Sequence, residues 1–199
     1  MLRFALTMLE RRTFLAQLAA LGLPLLWPEE ADASALTGLT LAELVGRSDR
    51  VAVCEPVASE SLWADVAGTR RIVTLTRLLE VEKLTGGASP SEHITMTLGG
   101  RVGDLGQKVH GEAVLPPGVP VVVFLGRDQA NRGVGFHRRV IGMAQGSYEV
   151  DGTDRSRPLR PNRNLPHLIR RPGVGPLAVD ELTGKSLSES ARLIRGAAR

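Results

Sequence analysis

From residue 51 onward, apolar and polar residues alternate in short runs broken by glycine, proline and Asp-Gly. This period of two predicts β-strands rather than helices. Residues 51–58 open the series and are apolar through 51–54. A long second strand follows over 70–83. On it Val73, Leu75, Leu79 and Val81 share an apolar face and Thr74, Thr76, Glu80 and Glu82 the other, and Arg77 interrupts the apolar face where a bend or bulge is expected. Gly86-Gly87 and Pro90 mark a turn, and residues 93–98 make a third strand with Ile94, Met96 and Leu98 inward. The run V-P-V-V-V-F-L at 119–125 holds no polar residue, which predicts a strand buried on both faces, with Pro120 at its start or on an edge. Residues 134–141 and 147–150 are expected to pair around 142–146.

Two stretches carry helical spacing instead. In L-T-L-A-E-L-V-G-R-S at 39–48, Thr40 is an N-cap, Glu43 completes a capping box, and Leu41, Leu44 and Val45 share one face. Residues 186–196 read as a C-terminal helix with Ser186 near its cap. Between the third and fourth strands lies a long loop, G-G-R-V-G-D-L-G-Q-K-V-H-G-E-A-V-L-P-P-G, holding six of the chain's 22 glycines. A structureless connection of about twenty residues is uncommon in a compact domain and is often functional. Residues 155–176 are rich in Arg and Pro, contain no acidic residue, and read as an extended strap. The expected organisation is a β-barrel domain over 34–153, followed by the strap and helix over 154–199. The fold class is mainly β: five to six short strands forming a barrel or a sandwich, with a short N-terminal and a C-terminal helix.

The first 33 residues follow another pattern. Arg11 and Arg12 form a positive segment, residues 13–27 an apolar run, and Ala31-Asp32-Ala33 and Ala33-Ser34-Ala35 two small-x-small sites, the three parts of a secretory signal peptide. The run is shorter than the ~20 residues that span a bilayer, so no permanent membrane span is expected. Arg11, Arg12, Phe14 and Leu15 resemble the twin-arginine translocase signal, whereas Glu10 and Ala16 depart from it and leave the general secretory route open. Both Met1 and Met8 are candidate starts. The expected partners are one of those translocases and a signal peptidase that cuts after Ala33 or Ala35, and the expected location is the periplasm or the exterior.

Residues 48–51, 72–85 and 121–125 are similar to the oligonucleotide/oligosaccharide-binding (OB) barrel, and more narrowly to its netrin-like branch, which includes the tissue inhibitors of metalloproteinases. That resemblance implies a concave face and mobile loops for a protein, peptide or glycan. The cysteines of that branch are absent, as is the N-terminal cysteine with which those inhibitors seize zinc, so their mechanism does not carry over. The motifs L-x-E-L-V-x-x-S-D at 41–49, G-G-x-V-x-x-x-G-Q-x-V-x-G at 99–111 and G-x-x-V-V-V-F-L at 118–125 also resemble a secreted bacterial small β-domain family. This second resemblance implies secretion and a small β domain, but no activity.

Composition narrows the chemistry. The one cysteine, Cys54, excludes an internal disulfide and sits in an apolar strand as a core thiol. The net charge is +4, carried almost wholly by arginine, since Lys83, Lys108 and Lys185 are the only lysines. Arg155, Arg157, Arg160, Arg163, Arg170 and Arg171 form a strip with two readings, a solvated tail or a surface for an acidic envelope protein or polymer. It lacks the interleaved aromatics that stack bases, so no nucleic acid is expected. His93, His110, His137 and His167 show no metal-ligand spacing, and no catalytic or cofactor motif occurs. The Gly-rich loop gathers Arg101, Asp104, Gln107, His110 and Glu112 as a tentative binding loop, and Asp104, His110 and Glu112 are its one local trio with metal-ligating side chains. It reads either as a ligand flap or as a crossover covering one barrel end. The leading expectation is a non-catalytic exported binding or structural module. A small metal-assisted hydrolase and an accessory subunit co-exported with a partner stand as alternatives.

Overall fold

The computed structural model describes residues 35–88, 91–151, 156 and 158–198. The signal-type segment, with Arg11, Arg12, Phe14, Leu15 and Ala33, lies outside them, whereas Ala35 is described and exposed. After a two-residue strand β1 (Leu36–Thr37), the capping box forms as its residues dictate. Thr40 Oγ1 accepts from the Glu43 amide, Glu43 accepts from the Thr40 amide, and helix α1 (Leu41–Arg47) buries Leu41, Leu44 and Val45. Arg171 also grips the Glu43 carboxylate, and with these amide and hydroxyl donors holds its pKa down at about 2.

The next two strands are far longer than the alternation alone marks. β2 (Arg50–Val66) and β3 (Thr69–Thr85) form one antiparallel ladder, turned by Ala67 and Gly68, both in left-handed backbone, as a two-residue hairpin requires. Three register shifts, at Val51/Ala52, Val53/Cys54 and Pro56/Ala58, bend the pair. β4 (Glu92–Leu98) adds to β3. A small hairpin of β5 (Gly100–Val102) and β6 (Leu105–Gln107) follows, then β7 (Val121–Leu125), which is buried throughout and lies against β2. β8 (Gln129–Asn131) and β9 (Gly135–His137) make a second small hairpin. β10 (Ser147–Val150) pairs with β7 and with β11 (Leu159–Pro161). The resulting six-stranded sheet is antiparallel, in the order β11-β10-β7-β2-β3-β4. β12 (Leu168–Ile169) runs parallel to β1, and helices α2 (Ala178–Leu182) and α3 (Leu187–Ala197) end the chain.

The protein is thus mainly β, with one six-stranded sheet and short helices. Its ladders do not return on themselves, but two isolated bridges connect residues 138–140 to both sides: Thr95 to Arg138, parallel, and Leu125 to Val140, antiparallel. The expected pairing of 134–141 with 147–150 does not form. Residues 135–137 pair with 129–131 instead, and a 3-10 turn, Met143–Gly146, intervenes. Gly146 is required there, because a Cβ would stand 1.9 Å from the Ile141 carbonyl oxygen.

Two apolar clusters hold the sheet. On one face α1, α2 and α3 cover Val51, Val53, Val122, Phe124, Tyr148 and Leu159. On the other, Ala52, Cys54, Leu78, Val121, Val123, Leu125 and Val140 pack with Ala113 and Leu115 from the Gly-rich connection. The strap and C-terminal helix belong to this core rather than to a separate body, since Leu159, Ala178, Leu182, Leu187 and Ile194 all enter the first cluster. Among the described residues, no helix is long and apolar enough to cross a membrane.

Candidate functional site

On β3 the apolar face divides along its length. Val73 is fully buried, whereas Leu79 and Val81 are 38% and 67% exposed, and Thr76 and Leu78 of the other face are buried. β4 behaves likewise: His93, Thr95 and Thr97 are buried with Leu78 and Thr76, while Ile94 turns toward the β8–β9 hairpin. Only Met96 of the expected inward set is fully buried, in a satellite cluster with Ala64 and Val73.

The consequence is an interior face in three zones. At one end Arg50, Glu80 and His93 form a buried network. The Arg50 guanidinium grips both Glu80 oxygens and the Gly87 carbonyl, and His93 Nε2 lies 3.1 Å from Glu80 Oε2. The guanidinium holds the Glu80 carboxyl below its ordinary range. The middle zone is the apolar cluster around Cys54, whose thiol is pushed up to about 12, chiefly by burial. At the far end stand two cross-strand rows of hydroxyls, Ser61–Thr74–Thr97 and Ser59–Thr76–Thr95, in direct register on β2, β3 and β4.

The Gly-rich connection closes over this hydroxyl end. Gly99 and Gly100 have φ of +92° and +132°, and a Cβ on Gly100 would meet the Ser61 and Thr74 hydroxyls at 2.3 and 2.4 Å. Only glycine lets the chain pass so near the hydroxyl row. The five sequence-marked residues then part company. Arg101 and Asp104 ride the exposed β5–β6 hairpin, and His110 is exposed. Gln107 folds back to accept from the Ile72 amide at 3.0 Å. Glu112 is buried, at 4% exposure. The trio of Asp104, His110 and Glu112 therefore does not assemble, and among the described residues no group of three or more His, Cys, Asp or Glu is placed to hold a metal ion.

Two strap asparagines fix the descending limb. Asn164 Nδ2 donates to the carbonyls of Val109 and Glu112, at 3.0 and 2.8 Å. The buried Asn162 donates to Val114 O and Ser147 Oγ. Neither was marked by sequence, because an asparagine within an Arg- and Pro-rich stretch carries no spacing signal. The strap arginines serve a similar structural end. Arg160 pairs with Asp151, Arg163 with Glu149, Arg170 with Asp180 and Arg171 with Glu43, so the basic strip is largely neutralised in place. Arg155 and Arg157 lie outside the described residues.

Beneath the connection is a cleft of about 350 Å³. The sheet lends it Ser59, Thr74, Thr76, Thr97 and Leu98, and the connection lends Val109, Glu112, Ala113, Leu115 and Pro116, so polar and apolar side chains both line it. Gln107, Lys108 and Asn164 are also among its lining residues. Glu112 Oε1 accepts from the Ala113 amide at 3.3 Å. Its Oε2 is buried without a hydrogen-bond partner, and the nearest cation is Arg139 Nη2 at 3.8 Å. Burial raises the Glu112 pKa above the ordinary carboxylate value, against the opposing pull of Arg139.

A second concavity, of about 480 Å³, lies on the outward face between Leu75, Arg77 and Ile94 of the sheet and Val134 and Phe136 of the β8–β9 hairpin. Phe136 is 76% exposed there. Comparison with protein-family models, with curated proteins and with solved structures finds no match for this chain.

Proposed function

We propose that this chain is an exported, non-catalytic binding module with an OB-like, netrin-like barrel, and that a small ligand sits in the cleft beneath the Gly-rich connection. The signal pattern over residues 1–33 supports export. The isolated bridges of Arg138 to Thr95 and of Val140 to Leu125 support the barrel reading, since they put segment 138–140 beside both β4 and β7.

The observation that carries the binding reading is the Glu112 carboxyl oxygen that is buried without a hydrogen-bond partner, with only the longer ion pair to Arg139 at 3.8 Å. Buried polar atoms without partners are rare, and each calls for an explanation. This one belongs to a side chain that lines an open cleft together with a row of hydroxyls. The connection is then both lid and site: its hairpin is exposed, and its descending limb delivers Glu112.

The test is a thermal-shift screen of a small-metabolite library against the mature protein and a Ser59→Trp variant. Ser59 is exposed and lines the cleft, so the indole obstructs it without entering the core. Because Ser59 also borders the outward concavity, a Phe136→Ser control that keeps the wild-type shift assigns the compound to the cleft. A compound that raises the melting temperature of the wild type and not of the variant supports the reading. A library that never distinguishes the two proteins overturns it. N-terminal sequencing of envelope-fraction protein checks export, with Ser34 or Leu36 expected as the first residue.

A second reading, an accessory subunit, is favoured by Phe136. A largely exposed aromatic beside Arg77, Leu75 and Ile94 has the composition of a protein-contact hot spot. Phe136→Ser leaves folding unchanged in this reading and weakens a purified partner's binding at least tenfold.

A further inference from the structure

Resting on the cleft reading above, we infer that the ligand class is a neutral polyhydroxylated molecule, a mono- or disaccharide, held edge-on by the hydroxyl rows and Glu112. The argument begins with the two rows. A sheet's interior face ordinarily fills with apolar side chains, as it does around Cys54. Here six cross-strand positions on three strands are Ser or Thr, in register as Ser61–Thr74–Thr97 and Ser59–Thr76–Thr95, with Thr76, Thr95 and Thr97 buried, Ser61 and Thr74 half-buried and Ser59 exposed. Part of the set satisfies itself: Thr74 Oγ1 donates to Gly99 O at 2.7 Å, and Thr97 Oγ1 reaches Thr74 O at 3.4 Å. Glu112 Oε2 is buried with no hydrogen-bond partner, and so is Thr95 Oγ1, which stands in the same row but behind the lining formed by Ser59, Thr74, Thr76 and Thr97. Sheet pairing alone does not require that pattern, because Val would occupy the same positions with equal β preference.

Charge then selects among ligand classes. A cation is drawn by Glu112 but meets Arg139 at 3.8 Å from the same oxygen, with Lys108 on the lining. An anion meets a buried carboxyl whose alternative is to ionise beside it. A divalent metal lacks a ligand set, since Glu112 is the one acidic side chain in the lining. A neutral ligand incurs none of these penalties. Hydroxyls and a carboxyl both donate and accept, which suits vicinal hydroxyl groups that do the same. The apolar part of the lining, Leu98, Val109, Ala113, Leu115 and Pro116, suits the C–H face of a pyranose ring. The volume, about 350 Å³, stands at the small end of the range for small-molecule sites, roughly 300–1,000 Å³, and so sets the size at one or two rings. This place lies under the connection between β4 and β7. It shares Ser59 with the outward groove at Phe136, whereas Thr76 and Glu112 line the cleft alone, so loss of binding in their variants assigns it to the cleft.

Isothermal titration of the mature protein tests the class. The panel is glucose, N-acetylglucosamine, maltose and trehalose, against putrescine, inorganic phosphate and calcium. The expected result is binding by at least one saccharide and none by the three charged probes. Thr76→Val and Glu112→Gln each weaken that binding tenfold or more, while the melting temperature moves little, and Ser59→Trp abolishes it. Thr76→Val removes a hydroxyl at nearly constant volume, so a loss of binding with unchanged circular dichroism reports recognition and not folding. Binding by a charged probe that Ser59→Trp blocks overturns the saccharide class and leaves the cleft reading standing. Saccharide binding that survives both Thr76→Val and Ser59→Trp places the sugar elsewhere and overturns the inference. No saccharide binding at all overturns it as well, and the library screen then decides the cleft reading separately.

Discussion

Replacing Arg50 with Met removes the only cation from the buried network at the charged end of the interior face. The side chains of Arg50 and Glu80 are 4% and 11% exposed, so the Glu80 carboxylate is left in a low-dielectric setting beside His93 Nε2 at 3.1 Å. Removing one member of a buried ion pair costs about 3–5 kcal/mol, because the other charge stays behind uncompensated. Against a total stability of roughly 5–15 kcal/mol, that is a large fraction. For a domain of this size each kcal/mol shifts the melting temperature by roughly 2–4 °C, so the variant melts roughly 6–20 °C lower. Adding Glu80→Gln removes the stranded charge but keeps an amide for His93, so the double variant is more stable than Arg50→Met alone. The pH dependence gives an independent check. Arg50 lowers the Glu80 pKa from its ordinary 4.5, so its contribution is present above that value and is lost as pH falls through the lower, folded-state value. The gap between wild type and Arg50→Met therefore narrows in acid. Urea unfolding followed by circular dichroism at neutral pH and near pH 3 measures all of this. A single variant losing under about 1 kcal/mol, or a double variant no more stable than the single, would refute the reasoning.

Other outcomes follow from the same geometry. Val123→Asp prevents folding, since β7 is buried on both faces and an unpaired carboxylate there costs several kcal/mol; a native circular dichroism spectrum would contradict this. Glu112→Gln is at least as stable as wild type at neutral pH, and its advantage shrinks as pH falls. The folded-state pKa of Glu112 is raised, so its desolvation penalty exists only where the carboxyl is ionised, and a constant difference from pH 4 to 8 would count against it. Cys54 resists iodoacetamide in the native protein at pH 8 and reacts once unfolded, because its thiol is buried and pushed up to about 12; rapid native alkylation would show an open core. Replacing Arg101, Asp104 and His110 together by Ala shifts stability by no more than about 0.5 kcal/mol, as these side chains are exposed, and a larger change in the melting curve would mean that the hairpin packs on something.

Local chemistry was legible in the sequence where the partners lie a few residues apart. Thr40 and Glu43 cap α1, Ser186 caps α3, and the unbroken apolar run at 121–125 forms the most buried strand, because capping geometry and burial on two faces need no distant partner to be recognised. The position of Glu112 in a candidate loop was legible too, as glycine density alone marked that connection. What only the tertiary structure decided was orientation. An alternating strand announces two faces, but which of them is interior depends on what packs against it. On β3 the bulges opposite Val53/Cys54 and Pro56/Ala58 and the packing of His93 and Thr97 across the ladder put Thr76, Leu78 and Glu80 inside and left Val81 outside. The same holds for the charged network: Arg50, Glu80 and His93 are 30 and 13 residues apart along the chain and meet only when three strands align. Burial of Glu112 was likewise settled from a distance, by strap asparagines 162 and 164 holding the connection down over the hydroxyl rows. Hydrogen bonds across some 50 residues leave no local spacing in the sequence, although they decide which carboxyl faces water and which faces the cleft.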